Sequence, residues 1–146
     1  MPRFKKSFHI KGGDFILAGE ASINIQNLLK SMDFDRRLIR RIAICGYEGE
    51  MNVVMHAGDG WLSLEVDTEK LVLEVKDSGP GIEDIDLAMQ AGYSTAKDDY
   101  REMGFGAGMG LPNMKKNSDQ IYIESQKSQG TNVQMVFFLH DAGKAD

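Results

Sequence analysis

Apolar and polar positions along the chain follow two periods, which predict where strands and helices lie. An apolar residue at every second position is typical of a half-buried strand, and the chain shows this alternation in five short segments. These predicted strands are Phe4–Ile10, Trp61–Val66, Leu71–Asp77, Gln120–Ser125 and Thr131–Leu139. The turn residues Asp67–Lys70 separate the second strand from the third, so these two strands should form a hairpin.

Helical spacing, with apolar residues three and four positions apart, occupies the intervals between the strands. It predicts helices at Phe15–Met32, from about Asp35 to Ala57, at about Glu83–Ala91 and from near Met109 onward. Pro112 supports the last of these starts, because proline is tolerated in the first turn of a helix but not further in. The polar stretch Gly92–Met103 has no clear period and is predicted to be a loop.

The predicted elements follow one another in the order β-α-α-β-β-α-loop-α-β-β. Most neighbouring strands are hairpin-like, which predicts a mixed, mostly antiparallel sheet with the helices on one face. This is an α+β fold, built as a two-layer α/β sandwich. A chain of 146 residues has the size of one domain. We therefore expect a single domain over residues 1–146, in which residues 140–146 form a frayed tail.

Charge and cysteine content argue against several classes of protein. The net charge of −5 argues against a nucleic-acid partner, since proteins that bind nucleic acid usually present positive charge. Cys45 is the only cysteine, so neither a disulfide nor a cysteine-based metal site can form within one chain. No segment has the apolar length of a membrane helix, and the N-terminus lacks the features of a signal peptide. We therefore expect a cytoplasmic protein without a membrane partner.

A glycine-rich segment, Gly104–Gly110, runs directly into the last predicted helix. Its spacing fits neither the dinucleotide-binding fingerprint nor a Walker A loop, which ends in Gly-Lys-Ser/Thr. Free backbone N–H groups at the start of a helix bind anions, and glycine lets a phosphate approach them closely. The segment is therefore either a phosphate-binding loop or a flexible hinge without a ligand, and its spacing alone favours neither.

The long predicted helix carries Glu48, Asn52 and His56 at successive steps of four residues, which places them on one face. A carboxylate, an amide oxygen and an imidazole there could hold Mg²⁺ through oxygen or provide a general base. A solvated polar face is the alternative, and the pattern taken alone favours it. A zinc site is weaker still, because sulfur ligands and a second nearby histidine are lacking. Glu50 is spaced so that it points to a different face of the helix.

The third predicted strand ends at Asp77, which shares the period-two face of that strand's apolar residues. This face should point into the core, where a carboxylate needs a partner. Gly79 and Gly81 then turn the chain away. Asp77 could accept a hydrogen bond from an amino group such as that of adenine, or it could simply close the strand in an Asx turn.

Together these segments make four motifs in a fixed order. They are Glu-x-x-x-Asn (Glu48 and Asn52), Asp-x-Gly-x-Gly (Asp77 to Gly81), Gly-x-Gly-x-Gly-Leu (Gly106 to Leu111) and a closing Gly-Thr (Gly130 and Thr131). In this order they resemble the gyrase/Hsp90/histidine-kinase ATP-binding superfamily, and most closely its small anti-sigma-factor and switch-kinase branch. The resemblance covers the chain from about Phe4 to Leu139 and implies the Bergerat-type ATP-binding fold.

The resemblance also implies a role for each matched residue, with ATP and Mg²⁺ as cofactors. Asp77 would hydrogen-bond the adenine amino group with support from Thr131, and Asn52 would bind the Mg²⁺ ion. Glu48 would be the general base that takes a proton from a hydroxyl group of a partner protein. The other matched residues would line the nucleotide: Gly79 and Gly81 at the adenine, and Gly106, Gly108, Gly110 and Leu111 in the phosphate loop.

The polar stretch Gly92–Met103 corresponds in the resemblance to the lid over the nucleotide. Lys97 and Arg101 lie in this stretch, and their charge and position suggest contacts with the γ-phosphate. Glu48 is preferred over Glu50 as the base because only Glu48 shares a helix face with Asn52.

Proteins of the switch-kinase branch phosphorylate small antagonist proteins, and some also bind a sigma factor. The resemblance therefore implies a serine/threonine protein kinase that transfers the γ-phosphate of ATP to a small antagonist protein. The alternative is an ATP-gated switch, such as an anti-sigma factor, that mainly sequesters its partner and has little or no kinase activity. A nucleotide-free scaffold of the same fold is a third interpretation. Relatives often pair, so a homodimer is plausible.

Overall fold

A computed structural model describes residues 4–56, 58–81, 89–90, 110–126 and 128–139. Its strands are β1 (Phe4–Lys11), β2 (Asp59–Val66), β3 (Lys70–Asp77), β4 (Gln120–Gln126) and β5 (Gly130–Phe138). Its helices are α1 (Glu20–Ser31), α2 (Arg36–His56) and α3 (Gly110–Asn117). Each predicted strand is present, and its ends differ from the prediction by at most two residues.

The five strands form one sheet in the order β1-β2-β3-β5-β4, and every neighbouring pair is antiparallel. The predicted α+β sandwich is confirmed, although the sheet contains no parallel pair among these strands. Strand β3 lies at the centre of the sheet. Its last residue, Asp77, is opposite Gly60 of β2 on one side and Thr131 of β5 on the other.

The helices cover one face of this sheet and enclose the core with it. Alternate strand residues on that face are fully buried: Leu62, Leu64, Leu71, Leu73, Met135 and Phe137. Helix α2 lies close to β3, because a Cβ atom at Gly49 would be only 2.5 Å from Cγ2 of Val75. On the open face of the sheet, Trp61 and Tyr122 are about half exposed.

Helix α1 begins at Glu20, five residues after its predicted start, so this part of the prediction is wrong. Oδ1 of Asp14 accepts hydrogen bonds from the N–H groups of Ile16 and Leu17, which holds this segment in a turn. Gly19 follows with a φ of 97°, in the left-handed region that interrupts a helix. The side chain of Ile16 is 93% exposed and therefore adds nothing to the core.

Helix α2 confirms the long predicted helix, and Oδ2 of Asp35 accepts a 3.4 Å hydrogen bond from the N–H of Leu38 in its first turn. Cys45 on this helix is fully buried against α3, and burial raises the pKa of its thiol to about 12. The thiol is therefore neutral at physiological pH and acts as a packing residue.

Three predicted segments lie outside the described residues. They are the short helix at residues 83–91 (apart from Met89 and Gln90), the lid at 92–103 and the tail at 140–146. Within the described part of the chain, no helix combines the length and the apolar character needed to cross a membrane.

Candidate functional site

The carboxylate of Glu48 is oriented by a side chain from helix α3. Nδ2 of Asn113 donates a 2.8 Å hydrogen bond to Oε2 of Glu48, and both side chains are half-buried. Oε1 of Glu48 accepts no hydrogen bond from the described residues. The contact between α2 and α3 therefore fixes one carboxylate oxygen of Glu48.

Asn52 lies one turn further along α2, against the first residue of α3. A Cβ atom at Gly110 would be 3.2 Å from both Oδ1 and Nδ2 of Asn52, so glycine permits this close approach. The Asn52 side chain is half-buried and makes no hydrogen bond within the described ranges. An amide oxygen is a ligand that suits Mg²⁺, so Asn52 fits the metal-binding role expected of it. Leu111, at the end of the predicted phosphate motif, is buried in the core.

Asp77 lies at the end of β3 and uses one of its two carboxylate oxygens within the protein. Oδ1 accepts hydrogen bonds from the N–H of Gly79 at 2.9 Å and from the N–H of Thr131 at 3.2 Å. The first bond forms the Asx turn that was one interpretation of this segment. Oδ2 has no hydrogen-bond donor among the described residues. The two bonds thus fix the Asp77 carboxylate through Oδ1.

Two glycines in the left-handed region let the turn after Asp77 approach the hairpin between β4 and β5 closely. Gly81 has a φ of 85° and Gly130 has a φ of 107°, both in the left-handed region. A Cβ atom at Gly130 would collide with the backbone oxygen of Asp77, and one at Gly81 would be 2.5 Å from the backbone oxygen of Gln126. The turn after β3 therefore packs directly on the hairpin between β4 and β5.

Thr131 connects Asp77 to strand β4. Its N–H binds the Asp77 carboxylate, and its hydroxyl group forms a 2.9 Å hydrogen bond with the hydroxyl group of Ser125. The side chains of all three residues are half-buried. The backbone of the Gly-Thr motif thus holds the Asp77 carboxylate, and the predicted role of Thr131 at the nucleotide stays a prediction.

Helix α2 brings the two parts of the site together. Val53, the neighbour of Asn52, packs on Gly60, where a Cβ atom would be 2.9 Å from Cγ1 of Val53. Gly60 is paired with Asp77 in the sheet. The part of α2 that carries Asn52 therefore lies beside the end of β3.

Several predicted site residues cannot be placed in this arrangement. Lys97, Arg101, Gly106 and Gly108 lie outside the described residues, as does the side chain of His56. Their predicted roles stay predictions.

Glu50, two residues from Glu48, has a different position and a different task. It is 2% exposed, and its oxygens accept hydrogen bonds from the N–H groups of Gly19, Ala21 and Ser22 and from the hydroxyl group of Ser22. These donors belong to the first turn of α1, where free N–H groups favour a carboxylate. Glu50 therefore attaches α1 to α2, as expected for a residue on a different helix face from Glu48.

Replacing Glu50 with alanine should lower the free energy of unfolding by about 3 kcal/mol, because several buried donors lose their acceptor. The matched control is Glu48→Ala, which removes a half-buried carboxylate from the same helix and should cost about 1 kcal/mol or less. Urea unfolding of both variants and the wild type measures the difference. Equal losses in the two variants would contradict this role of Glu50.

A cavity lies on the other side of α2 from Glu48 and Asn52. It has a volume of about 320 Å³ and opens between β1, the segment before α1 and the start of α1 itself. Glu50 and Val54 line it, whereas Glu48, Asn52 and Asp77 do not. Among the described residues, no three His, Cys, Asp or Glu side chains are grouped so that they could hold a metal ion.

A family model matches the part of the chain that carries the four motifs. The model described as "Histidine kinase-, DNA gyrase B-, and HSP90-like ATPase" matches residues 46–141. The chain belongs to this ATPase family. The predicted superfamily is therefore confirmed, and with it the use of ATP.

Relatives within this ATPase family come from the branch that the motifs predict. Serine/threonine-protein kinase RsbT of Bacillus subtilis is 31% identical over 118 residues, which cover 78% of this chain and 83% of RsbT. The anti-sigma F factor of Thermoanaerobacter sp. (strain X514) is 32% identical over 96 residues, or 66% of this chain. The chain spans only 59% of the length of that second relative. Both names agree with the predicted switch-kinase and anti-sigma branch.

Solved structures with the same fold are more distant in sequence. A chain of the SiaB-SiaC complex from Pseudomonas aeruginosa has a TM-score of 0.62 and 14% identity, with 90% of this chain and 88% of that chain covered. The mycobacterial sensor histidine kinase MprB has a TM-score of 0.54 and 14% identity, with coverage of 92% and 97%. At this level of identity the likeness concerns the fold alone, and it supports the two-layer arrangement.

Two residues that complete the site were not identified from the sequence. Asn113 orients Glu48, and Ser125 binds Thr131. Neither belongs to one of the four motifs. Asn113 lies three residues after Gly110, in the first turn of α3, and this position next to a predicted phosphate loop is the signal that could have indicated it.

Proposed function

We propose that this ATPase-family protein is a serine/threonine kinase that transfers the γ-phosphate of ATP to a hydroxyl group of another protein. The observation that carries the proposal is the half-buried carboxylate of Glu48, which Asn113 holds on the helix face shared with Asn52. The similarity to a relative named serine/threonine-protein kinase supports it. The partner would be a small antagonist protein, as the branch suggests.

In this proposal the end of β3 selects the base of the nucleotide. Oδ1 of Asp77 is occupied by two backbone N–H groups, so Oδ2 is the oxygen that accepts a hydrogen bond from the adenine amino group. Thr131 keeps the carboxylate in place. Gly79 and Gly81 keep the turn narrow, so that the flat base can approach the backbone.

The start of α3 and the adjacent face of α2 hold the reacting groups. Glu48 accepts the proton of the serine or threonine hydroxyl. The oxygen of that hydroxyl attacks the γ-phosphorus, and the bond between the γ-phosphorus and the oxygen that leaves with ADP breaks. Asn113 orients the carboxylate for this step. Phosphoryl transfer depends mainly on positioning and on charge neutralisation, so one oriented base with bound ATP is sufficient chemistry for the protein.

Mg²⁺ is the cation expected with ATP, and Asn52 is the residue that would hold it. A bound Mg²⁺ ion neutralises phosphate charge and keeps several waters, so a single amide oxygen from the protein suffices. Lys97 and Arg101 are proposed to contact the γ-phosphate from the lid, and Gly106, Gly108 and Gly110 to surround the phosphates.

A second function is favoured by the similarity to an anti-sigma F factor. In this alternative the chain binds its partner in an ATP-dependent manner and releases it without phosphorylating it. The two functions differ in one property, because sequestration does not require Glu48 as a base.

Labelling with ATP tests the kinase directly. The purified protein, Mg²⁺ and ATP labelled at the γ-phosphate are incubated with fractions of an extract from the source cells. We expect one small protein to acquire acid-stable label on serine or threonine, and the Glu48→Gln variant to leave it unlabelled. If ATP binds but no fraction gains label above that variant, the kinase proposal is wrong and the sequestering function replaces it.

A further inference from the structure

The first two turns of α2 carry an unusual concentration of positive charge. Arg36, Arg37, Arg40 and Arg41 fall within six residues of a chain whose net charge is −5. No acidic residue lies in the first turn of the helix. Positive charge at this end opposes the helix dipole, which favours acidic residues there. Stability of α2 alone therefore does not account for these arginines.

One of the four has a structural task. Nε of Arg41 donates a 2.9 Å hydrogen bond to the backbone oxygen of Asn117, and its Nη2 lies 2.9 Å from Oδ1 of Asp119. Its guanidinium group also lies 5.5 Å from the centre of the Phe137 ring. Arg41 thus attaches the end of α3 to α2.

The other three arginines have no such contacts. Arg36, Arg37 and Arg40 are exposed, and among the described residues their guanidinium groups form no salt bridge or hydrogen bond. We call these three residues the arginine face. With no partner inside the described structure, the charge of the arginine face is available for a partner outside it.

The arginine face continues along α2 towards the proposed base. Arg40, Ile44 and Glu48 follow one another at steps of four residues, so they line one side of the helix. Ile44 is half-buried, and Tyr47 beside it is 44% exposed. With a rise of about 1.5 Å per residue, Arg40 lies about 12 Å from Glu48 along the helix axis, and Arg37 and Arg36 lie about 16 and 18 Å away. A surface that is positive at one end and apolar in the middle thus ends at the reacting carboxylate.

We propose that the arginine face docks carboxylate groups of the protein that receives the phosphate, which rests on the proposed kinase function. The substrate then carries acidic side chains about 12–18 Å from its phosphorylated hydroxyl, measured along α2. Ile44 and Tyr47 contact the apolar part of the substrate between these two points. Charge complementarity at this distance steers the substrate and fixes its register, so that only one hydroxyl reaches Glu48.

The test uses steady-state kinetics with the acceptor protein that the wild type labels from ATP. Arg37→Glu/Arg40→Glu should raise the KM for this acceptor at least about tenfold, with kcat and the KM for ATP within about twofold of the wild type. Arg37→Lys/Arg40→Lys keeps the charge and should stay within about threefold. In the wild type, added salt should raise the KM for the acceptor, whereas the reversed variant should respond much less.

The matched control is Lys5→Glu/Lys76→Glu, which changes the net charge by the same amount on the open face of the sheet, where both lysines are exposed. It should leave the KM for the acceptor within about twofold. If the arginine reversal leaves this KM unchanged, or if the lysine control raises it equally, the docking surface is refuted while the kinase stands. If the wild type labels no acceptor although it binds ATP, the kinase itself is refuted, and the docking surface with it.

Discussion

The Glu48→Gln variant should bind Mg-ATP as the wild type does, yet transfer phosphate to its acceptor at least about 100-fold more slowly. Glutamine has nearly the same shape as glutamate, and its amide oxygen can still accept the 2.8 Å hydrogen bond from Asn113. Its other terminal atom is an amide nitrogen, which cannot accept the proton of a serine or threonine. The substitution therefore keeps the geometry and removes the base.

Two measurements separate binding from chemistry for this variant. Calorimetry gives the affinity for Mg-ATP, and single-turnover labelling of the acceptor gives the rate of transfer. Glu124→Gln is the matched control, since Glu124 is exposed on the open face of the sheet, and it should transfer phosphate at the wild-type rate. A Glu48→Gln variant that transfers as fast as this control would show that another group is the base.

Asp77→Asn should weaken ATP binding at least about 30-fold, or about 2 kcal/mol. Two backbone N–H groups, from Gly79 and Thr131, point at Oδ1 of Asp77. An asparagine must keep its amide oxygen on these donors, because its NH₂ group would otherwise face them. Its NH₂ group is then directed at the adenine amino group, so that a donor meets a donor where a carboxylate oxygen had accepted.

The control for this variant is another aspartate in a closely similar turn. Oδ1 of Asp67 accepts hydrogen bonds from the N–H groups of Glu69 and Lys70, at 2.7 and 2.8 Å, at the opposite end of the β2–β3 hairpin. Asp67→Asn should therefore affect stability in a similar way and leave ATP affinity within about twofold. Equal ATP affinity in the Asp77 and Asp67 variants would remove Asp77 from the nucleotide site.

Sequence alone predicts those parts of this molecule that depend on neighbouring residues. The alternation in β3 and the step of four between Glu48 and Asn52 are local patterns, so the strand ending at Asp77 and the shared helix face follow from them. The start of α1 does not follow. The first turn of α1 is fixed by Glu50. The oxygens of Glu50 accept hydrogen bonds from N–H groups that lie between 28 and 31 positions earlier in the chain.

The side chains and N–H groups that orient Glu48 and Asp77 likewise come from elements distant in the chain. Asn113 reaches Glu48 across 65 positions, and Thr131 reaches Asp77 across 54. The Gly-Thr motif indicated Thr131 only through the resemblance to a known superfamily, and no motif indicated Asn113. Such pairs depend on how α3 packs on α2 and how β5 lies beside β3, which the periodicity of either segment does not contain.

The most direct test of a site in which Asp77 recognises adenine is a calorimetric titration of the wild-type protein with Mg-ATP and, separately, with Mg-GTP. Adenine presents an amino group where guanine presents an oxygen, and that oxygen would face the Asp77 carboxylate. We predict saturable binding of ATP and at least about 100-fold weaker binding of GTP. Equal affinity for the two nucleotides, or no binding of ATP at millimolar concentration, would contradict the proposed nucleotide site and the kinase built on it.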